Sequence, residues 1–164
     1  MRYAQIRRMD ISNGEGIGIS IFLQGCHLHC KNCFNKELWD FDGGNEFTED
    51  TLNKIITLCN CIQIKRFSIL GGEPLSEENL EELAATIATI KQNYPNISIW
   101  LYTGYIYETL TPAQKAVVDL ADILVDGPYV DTERDARLQY RGSRNQRIID
   151  MKQTLQSKEV KLYN

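Results

Sequence analysis

The chain has 164 residues, of which 43% are hydrophobic and 24% are charged, and its formal net charge is −4. This length and composition predict a single domain, residues 1–164, with a core that needs no disulfides. The sequence contains no apolar run of roughly 20 residues and no signal-peptide pattern, so we expect a cytoplasmic protein that does not enter a membrane.

The charged residues bear on what the protein can bind, and the cysteines bear on the cellular compartment in which it works. Residues 131–164 carry eight Lys/Arg and five Asp/Glu, so this C-terminal segment is basic while the rest of the chain is acidic. A basic segment either faces an acidic surface or phosphates or is an ordinary solvated surface, and we do not expect nucleic-acid binding from it. Five cysteines, three of them clustered, form a poor disulfide framework and favour a reducing compartment.

The first half of the chain predicts a turn, a strand and a helix. Residues 11–18 form a glycine-rich turn whose spacing matches neither a phosphate-binding loop nor a dinucleotide fingerprint. Residues 19–23 are a short β-rich run and predict a buried first strand that leads into a cysteine-rich loop. Thr48 can then cap a helix whose apolar face includes Cys59. We expect Cys59 to be buried and inert, and Cys61, just past the helix, to be inert as well.

The second half of the chain alternates strands with helices. Strands are predicted at residues 66–70, 97–102 and 123–125, separated by a helix that ends near Asn93 and a helix capped by Thr111. This alternation predicts parallel βαβ units. Each strand ends in a polar or glycine-rich stretch, and in parallel α/β folds that edge carries the site. Because the units are too few for a closed eight-stranded barrel, we expect an α/β fold with an open, partial barrel of parallel strands.

The most informative motif is the loop that contains Cys26, Cys30 and Cys33. Spacings of three and two intervening residues let the three thiolates converge on one inorganic centre. Zinc sites and electron-transfer clusters normally have four protein ligands, whereas three ligands on a four-iron cluster leave one iron open to a small molecule. The motif therefore predicts a reactive [4Fe-4S] cluster. The alternative is a zinc-binding module, in which His27 or His29 completes a structural metal site.

A second motif, Gly71-Gly72-Glu73, follows the second predicted strand. Two glycines allow a close approach of the backbone, and the Glu73 carboxylate can accept hydrogen bonds from an amine. An open iron suits an amino-acid amine and carboxylate as a bidentate ligand, so the two motifs together predict one site. Taken alone, the second motif is equally well explained as a turn with an exposed acid.

Together these motifs resemble the radical S-adenosylmethionine superfamily, whose signature is Cys-x3-Cys-x2-Cys. The resemblance implies that the three cysteines hold a [4Fe-4S] cluster, whose reduction cleaves S-adenosylmethionine to a 5′-deoxyadenosyl radical. It implies no catalytic residue beyond the ligands of cluster and cofactor. The implied pocket residues are Asn32, Cys33, Phe34, Gly71, Gly72, Glu73 and Thr103. Phe34 would pack on the adenine and Gly72 and Glu73 would hold the methionine end, while contacts of Thr103 or Asp126 with the cofactor stay open.

A narrower resemblance extends over nearly the whole chain. Six stretches are similar to the activating proteins of anaerobic (class III) ribonucleotide reductases, a family of short chains. They are residues 10–14, 24–26, 34–36, 100–105, 125–127 and 141–146. The resemblance implies an oxidoreductase that activates anaerobic ribonucleoside-triphosphate reductase by removing a hydrogen atom from a backbone glycine, which leaves a glycyl radical. The chain departs from the family pattern at Glu15, where proline is usual, and at Ile19, near a usual polar position.

The resemblance also implies partners. The protein substrate would be the reductase, and the family suggests reduced flavodoxin or a similar protein as the electron donor. Since a small chain has little structure left to enclose a radical, the basic segment 131–164 and the loop at Asp126 are candidate lid or docking elements. Two enzymatic alternatives stay open. The first is an activating enzyme for another glycyl-radical enzyme; such activating enzymes often carry cysteine-rich insertions, which this sequence lacks. The second is a radical S-adenosylmethionine enzyme that acts on a small molecule.

Overall fold

A mixed sheet forms the frame of the protein in the computed structural model, which describes residues 1–163. The strands of this part of the chain are β1 Arg2–Asp10, β2 Gly18–Leu23, β3 Asn45–Glu46, β4 Arg66–Gly71, β5 Ser98–Tyr102, β6 Ile123–Asp126 and β7 Arg147–Asp150. In space they follow the order β3-β1-β2-β4-β5-β6-β7. The four central strands β2, β4, β5 and β6 are parallel, whereas β1 and β7 run antiparallel to their neighbours. The prediction of an α/β fold with parallel strands is therefore confirmed for the centre of the sheet.

Within residues 1–163 the α-helices are α1 Glu49–Cys59, α2 Leu80–Asn93, α3 Pro112–Val118 and α4 Met151–Ser157. The helices α1 and α3 begin at the caps that the sequence predicts, whereas α4 is not predicted from the sequence. The Thr48 hydroxyl accepts a hydrogen bond from the backbone N–H of Thr51, and the Thr111 hydroxyl accepts one from that of Gln114. Each cap satisfies an N–H that the first helical turn leaves unpaired. In this part of the chain, every helix is too short or too polar to cross a lipid bilayer.

The main core lies between the sheet and the helices. Ile69 of β4, Leu101 of β5 and Ile87 of α2 are fully buried in it. Burial of one such side chain contributes roughly 1.5–3 kcal/mol, so this face holds the molecule together. Cys59 at the end of α1 lies in the same core, as predicted, and burial raises its pKa to about 12. Cys61 is exposed.

The two outer parts of the sheet, β1 with β3 on one side and β7 on the other, are not predicted from the sequence. β3 pairs only with Arg2 and Tyr3, so most of β1 forms an exposed edge, and exposed charges such as Arg8 hide its strand pattern. β7 and α4 lie in the basic segment, where apolar periodicity is weak and the strand has only four residues. Part of residues 131–164 therefore belongs to the sheet and its helices rather than to a separate tail.

A buried ion pair occupies the helix-free face of the sheet. Arg66 is 0% exposed and Asp10 is 3% exposed. The Arg66 guanidinium donates to the Asp10 carboxylate at 3.2 Å, to the Asp10 carbonyl oxygen at 2.7 Å and to the Ser68 hydroxyl at 2.7 Å. Burial alone would raise the pKa of Asp10, but hydrogen bonds, foremost that from the Ser20 hydroxyl, outweigh burial and lower it. The pair is therefore charged on both sides, and both terminal nitrogens of the guanidinium donate to neighbouring polar groups, while the Arg66 Nε has no hydrogen-bond partner among residues 1–163.

The glycine-rich turn makes room for this arginine. A Cβ on Gly18 would lie 2.3 Å from Arg66 Cγ, and a Cβ on Gly14, whose φ is +135°, would lie 2.8 Å from Arg66 Cδ. The glycines thus serve packing, in agreement with the predicted tight turn. Glu15, in the same turn, accepts a hydrogen bond from the Tyr163 hydroxyl.

Breaking the buried ion pair should destabilise the fold. Arg66→Met leaves the Asp10 carboxylate buried without its cation, and removing one partner of a buried pair costs about 3–5 kcal/mol. We expect a decrease of that size in the free energy of unfolding, measured by urea denaturation of the metal-free chain.

Two further variants test the cause. Arg8→Met removes an exposed cation and should change the free energy of unfolding by less than about 0.5 kcal/mol. The double variant Asp10→Asn/Arg66→Met, which no longer buries a lone charge, should lose less stability than Arg66→Met alone. A loss in the double variant equal to the sum of the losses in Asp10→Asn and Arg66→Met, each measured alone, would contradict the ion pair.

Candidate functional site

The cysteine loop begins where β2 ends and is fixed to a later segment of the chain. The backbone N–H of Gly25 donates to the Leu38 carbonyl at 2.7 Å, and that of Cys26 donates to the Trp39 carbonyl at 3.1 Å. Gly25 has φ +97°, and a Cβ there would lie 2.2 Å from the Phe41 ring. The loop therefore starts with a sharp turn that favours glycine, and the backbone of a second segment holds it in place.

The three thiols of this loop line one cavity of about 170 Å³. Cys26 is buried, whereas Cys30 and Cys33 are half-buried. The backbone N–H of Cys33 donates to the Cys30 carbonyl, and that of Asn35 donates to Cys33 Sγ at 3.4 Å. Burial raises the pKa of the Cys26 thiol. The structure thus brings together the three residues that the sequence predicts as cluster ligands.

The two histidines of the loop pack against aromatic rings. The His27 ring lies 4.3 Å from that of Phe41, with its Nε2 3.0 Å from Glu78 Oε1, and the His29 ring stacks on Trp39 at 4.2 Å. Within residues 1–163, no three His, Cys, Asp or Glu side chains are placed to hold a single metal ion. Zinc needs ligands that converge on one point, whereas a four-iron cluster takes each thiolate on a different iron. Both histidine rings are therefore engaged by aromatic partners.

The Gly71-Gly72-Glu73 turn lies beside the cysteine loop because β2 and β4 are parallel neighbours, with Leu23 opposite Gly71. The backbone N–H of Glu73 donates to the Gly25 carbonyl at 2.8 Å. A Cβ on Gly72 would lie 2.3 Å from that carbonyl oxygen, so only glycine lets the two turns approach this closely. The two motifs therefore form adjacent walls of one cavity.

The Glu73 carboxylate joins the ends of β4 and β5. Its Oε1 accepts hydrogen bonds from the backbone N–H of Leu75 at 2.9 Å and from the Thr103 hydroxyl at 2.7 Å, and its Oε2 accepts one from the backbone N–H of Gly104 at 2.7 Å. Glu73 is 1% exposed, and burial raises its pKa to about 7, although these hydrogen bonds act in the opposite direction. To the predicted role as an acceptor for an amine, the structure adds an internal one: the carboxylate fixes the loop that starts at Thr103.

Thr103 and Asp126 differ in their relation to the cavity. Thr103 borders it, although its hydroxyl donates to Glu73. Asp126, at the end of β6, is 1% exposed and accepts hydrogen bonds from Arg147 Nε at 2.9 Å and from the backbone N–H of Tyr107 at 2.8 Å. Among the described residues Asp126 is absent from the cavity wall, and it anchors the loop that follows β5.

Asn32 and Phe34 contact the segment that follows β6. The Asn32 side-chain amide donates to Asp131 Oδ2 at 2.7 Å, so this predicted pocket residue faces the segment rather than the cavity. The Phe34 ring borders the cavity, lies 5.0 Å from the Tyr129 ring and has the Arg134 guanidinium 4.9 Å from its centre. The start of the basic segment is therefore attached to the cysteine loop.

Several cavity residues belong to no motif that the sequence analysis singled out as part of the site. Among them are Trp39, Leu70, Tyr102, Tyr129, Gly142 and Gln146. Leu70 and Tyr102 are the strand residues directly before two of the predicted loops, and strand alternation places them on the helix-free face once the register is known. Trp39 and Gln146 reach the cavity only through tertiary folding, so no local pattern reveals them.

Most of the chain matches known proteins. Residues 12–149 match the family model described as a 4Fe-4S single cluster domain. The chain is 40% identical over 148 residues to the anaerobic ribonucleoside-triphosphate reductase-activating protein of Salmonella typhimurium, 38% over 148 residues to that of Escherichia coli (strain K12) and 32% over 148 residues to that of Enterobacteria phage T4. These alignments cover 89–90% of this chain and 93–96% of the relatives. The chain belongs to this family of activating proteins. The resemblance inferred from the sequence is confirmed.

The residues of this activating-protein family member fit the 4Fe-4S cluster that the domain description names. Three thiols of one loop border the cavity, and soft thiolates are the ligands that iron–sulfur clusters take. Two buried donors at the same cavity, the Trp39 indole N–H and the Tyr102 hydroxyl, have no hydrogen-bond partner among residues 1–163. The cavity therefore offers both ligands and spare donors to an incoming group.

The raised pKa of Glu73 predicts a pH-dependent stability of the metal-free activating protein. Its pKa rises from 4.5, the ordinary value, to about 7 in the folded chain, so between these values the folded state holds a proton that the unfolded state has lost. The stabilisation of the folded state by this proton on Glu73 is complete below pH 4.5 and is lost as the pH rises through 7. Relative to Glu73→Gln, we expect the free energy of unfolding to fall by about 3 kcal/mol over this range.

Urea denaturation of both chains between about pH 4.5 and 7.5 measures this difference. In Glu73→Gln an amide NH2 replaces one of the two carboxylate oxygens, so the Gly104 N–H can lose its acceptor. We therefore expect a constant offset between the free energies of unfolding of the two chains at every pH. The pH-dependent part carries the prediction, and parallel profiles for the two chains would contradict it.

Proposed function

We propose that this chain activates an anaerobic ribonucleoside-triphosphate reductase by generating a glycyl radical on it. The reaction would use reductive cleavage of S-adenosylmethionine at a [4Fe-4S] cluster, so the chain would act as an oxidoreductase. The observation that carries the proposal is the single cavity shared by Cys26, Cys30, Cys33 and the turn that ends at Glu73. Relatives at 38–40% identity, whose names specify activation of this reductase, support it.

Cys26, Cys30 and Cys33 are assigned as the three cluster ligands. Their loop is held at its start by hydrogen bonds from the backbone of Gly25 and Cys26, so the ligands need little rearrangement. Three protein ligands leave one iron of a four-iron cluster for an exogenous group. This open position is what separates the proposed site from a purely structural one.

The residues assigned to S-adenosylmethionine surround the same cavity. Gly71, Gly72 and Glu73 would receive the methionine end, Phe34 would pack on the adenine, and Thr103 would form part of the wall together with Cys33. Asn32 is assigned a supporting role, since its amide ties the loop to Asp131. The cluster and S-adenosylmethionine, when bound, would supply the radical chemistry: one electron from the reduced cluster would break the S–C5′ bond and give methionine and a 5′-deoxyadenosyl radical.

The chain's own task is to position the cofactor and to exclude water from the radical. Glu73 holds Thr103 and Gly104 in place through its carboxylate, which fixes one wall. Leu70 and Tyr102 supply apolar surface from β4 and β5 at the same cavity. The remaining open side has to be covered by another molecule.

We further infer that the sheet is a partial radical S-adenosylmethionine barrel. The support is the parallel set β2, β4, β5 and β6, whose carboxyl ends carry the site, with the helices packed on one face. Eight parallel strands can close a barrel around a packed centre, and four cannot. The reductase itself would therefore complete the enclosure when it docks.

Residues 131–146 are proposed as a lid or docking element for that partner. The support is their attachment to the cysteine loop, through Asp131 to Asn32 and through Arg134 to Phe34. The rest of the basic segment forms β7 and α4, which pack into a fold that extends from β1 to α4, in keeping with one domain.

We propose that reduced flavodoxin or a similar protein delivers the electron at the outer side of the cysteine loop. His27, His29 and Lys31 are exposed there, so this side is accessible while the inner side faces the cavity.

Replacing any one of the three cysteines should remove the cluster. Each of Cys26→Ala, Cys30→Ala and Cys33→Ala leaves two thiol ligands, so after anaerobic reconstitution with iron and sulfide we expect loss of bound iron. Formation of 5′-deoxyadenosine should disappear with it. The bound iron is measured by iron analysis and by absorbance at about 400 nm, and 5′-deoxyadenosine is measured by product analysis.

Cys61→Ala is the matched control, because Cys61 is exposed and lies outside the cavity. This variant should keep its iron and its product. A full complement of iron and product in any of the three loop variants would refute the ligand assignment.

The identity of the protein substrate is tested by electron paramagnetic resonance. With S-adenosylmethionine, a reductant and the candidate reductase, we expect a glycine-centred radical that needs all components. A radical formed only on a different glycyl-radical enzyme, or on no protein at all, would favour the alternative activities.

Loosening the lid should weaken cofactor binding. Asp131→Ala removes the acceptor for the Asn32 amide and for the Tyr129 hydroxyl, which lies 3.0 Å from Asp131 Oδ1. We expect the Kd for S-adenosylmethionine to rise about threefold, the effect of one modest hydrogen bond. Proteolysis within residues 131–146 should become faster.

Asp135→Ala is the control, since Asp135 pairs with Arg137 and Arg144 inside the segment. It should leave the Kd unchanged. Equal effects of the two variants on the Kd would show that attachment of residues 131–146 to the cysteine loop does not determine the affinity for S-adenosylmethionine.

A further inference from the structure

Trp39 has a buried hydrogen-bond donor that no group in the described chain accepts. Its indole Nε1 is shielded from solvent and has no partner among residues 1–163. An indole N–H can only donate, and buried polar groups in native proteins nearly always find a partner. A buried donor without one lowers stability, so its presence calls for a ligand that accepts the hydrogen bond.

The position of Trp39 directs attention to the cysteine loop. Its carbonyl accepts a hydrogen bond from the backbone N–H of Cys26 at 3.1 Å, and its ring stacks on His29 at 4.2 Å with 16° between the planes. Its side chain borders the cavity that Cys26, Cys30 and Cys33 also line. Backbone and ring are therefore both fixed against the loop before a cluster arrives.

We propose that the Trp39 indole N–H donates a hydrogen bond to a sulfur of the [4Fe-4S] cluster, an inorganic sulfide or a cysteine thiolate, and thereby raises the reduction potential of the cluster. The inference rests on the proposed function, because it needs the cluster at Cys26, Cys30 and Cys33. Hydrogen bonds to the sulfurs are among the factors that set the potential of such clusters. Reduction adds negative charge, so a donor stabilises the reduced form more than the oxidised form.

Tyr102 supplies a matched comparison. Its hydroxyl is the other buried donor without a partner at this cavity among the described residues. Tyr102 lies at the end of β5 and packs on the helix-free face of the sheet with Trp100, Ile123 and Val125, whereas Trp39 is bonded to the cysteine loop. Tyr102→Phe therefore removes an unpaired donor of the cavity without touching the proposed contact.

The test compares the wild-type chain with Trp39→Phe and Tyr102→Phe after cluster loading. Trp39→Phe keeps an aromatic ring to stack on His29 and removes the N–H together with part of the indole ring. At a fixed solution potential, we expect the ratio of reduced to oxidised cluster to fall about tenfold in Trp39→Phe, which is about 59 mV for a one-electron couple. Tyr102→Phe should keep the wild-type ratio. An unchanged ratio in Trp39→Phe, or an equal fall in both variants, would overturn the proposal.

A spectroscopic measurement on the wild-type chain covers the case in which Trp39→Phe fails to load. The chain has two tryptophans, so indole-15N labelling introduces two nitrogens. Electron–nuclear double resonance of the reduced cluster should show one coupled indole 15N. Trp100, on β5 in the core of the helix-free face, should remain uncoupled. Absence of any indole coupling in a loaded wild-type chain would overturn the proposal.

A wild-type chain that takes up no iron refutes the proposed function and this inference together, whereas a loaded wild type with an unaltered Trp39→Phe ratio refutes this inference alone.

Discussion

The site depends on the parallel pairing of β2 with β4. This register sets Leu23 opposite Gly71, so the loops that follow the two strands leave the sheet side by side. One hydrogen bond, from the Glu73 backbone N–H to the Gly25 carbonyl, then locks the cysteine loop to the glycine-rich turn. Gly72 is the residue that permits this approach, because any side chain would collide with the same carbonyl. The chemistry of the cavity follows from a contact between two backbones.

Local sequence patterns predict the parts of the molecule whose cause is local. Thr48 and Thr111 mark helix starts because a hydroxyl can satisfy an N–H of the first turn, and both caps are present. Residues 66–70 are predicted as a strand because an apolar run ends at two glycines. Cys26, Cys30 and Cys33 stand out because their spacing suits an inorganic centre, and the structure indeed gathers them at one cavity.

The contacts that local sequence patterns do not predict depend on residues far away in the chain. Arg66 carries no sign in the sequence that it is buried, since its acceptor Asp10 lies on another strand and its space is provided by distant glycines. Asn32 is adjacent to a predicted ligand, yet its amide faces Asp131, far along the chain. Trp39 likewise reaches the cavity through a loop and has no periodic neighbours. Such contacts depend on tertiary structure, so a single sequence does not encode them in any short window.

The packing of the histidines gives the cysteine loop a shape of its own. With His27 on Phe41 and His29 on Trp39, the loop is organised by aromatic packing within the protein. The proposed cluster would therefore enter a loop that already has its shape, and loss of the cluster would leave that shape in place. Reloading the chain would then require iron and sulfide but no refolding of the loop.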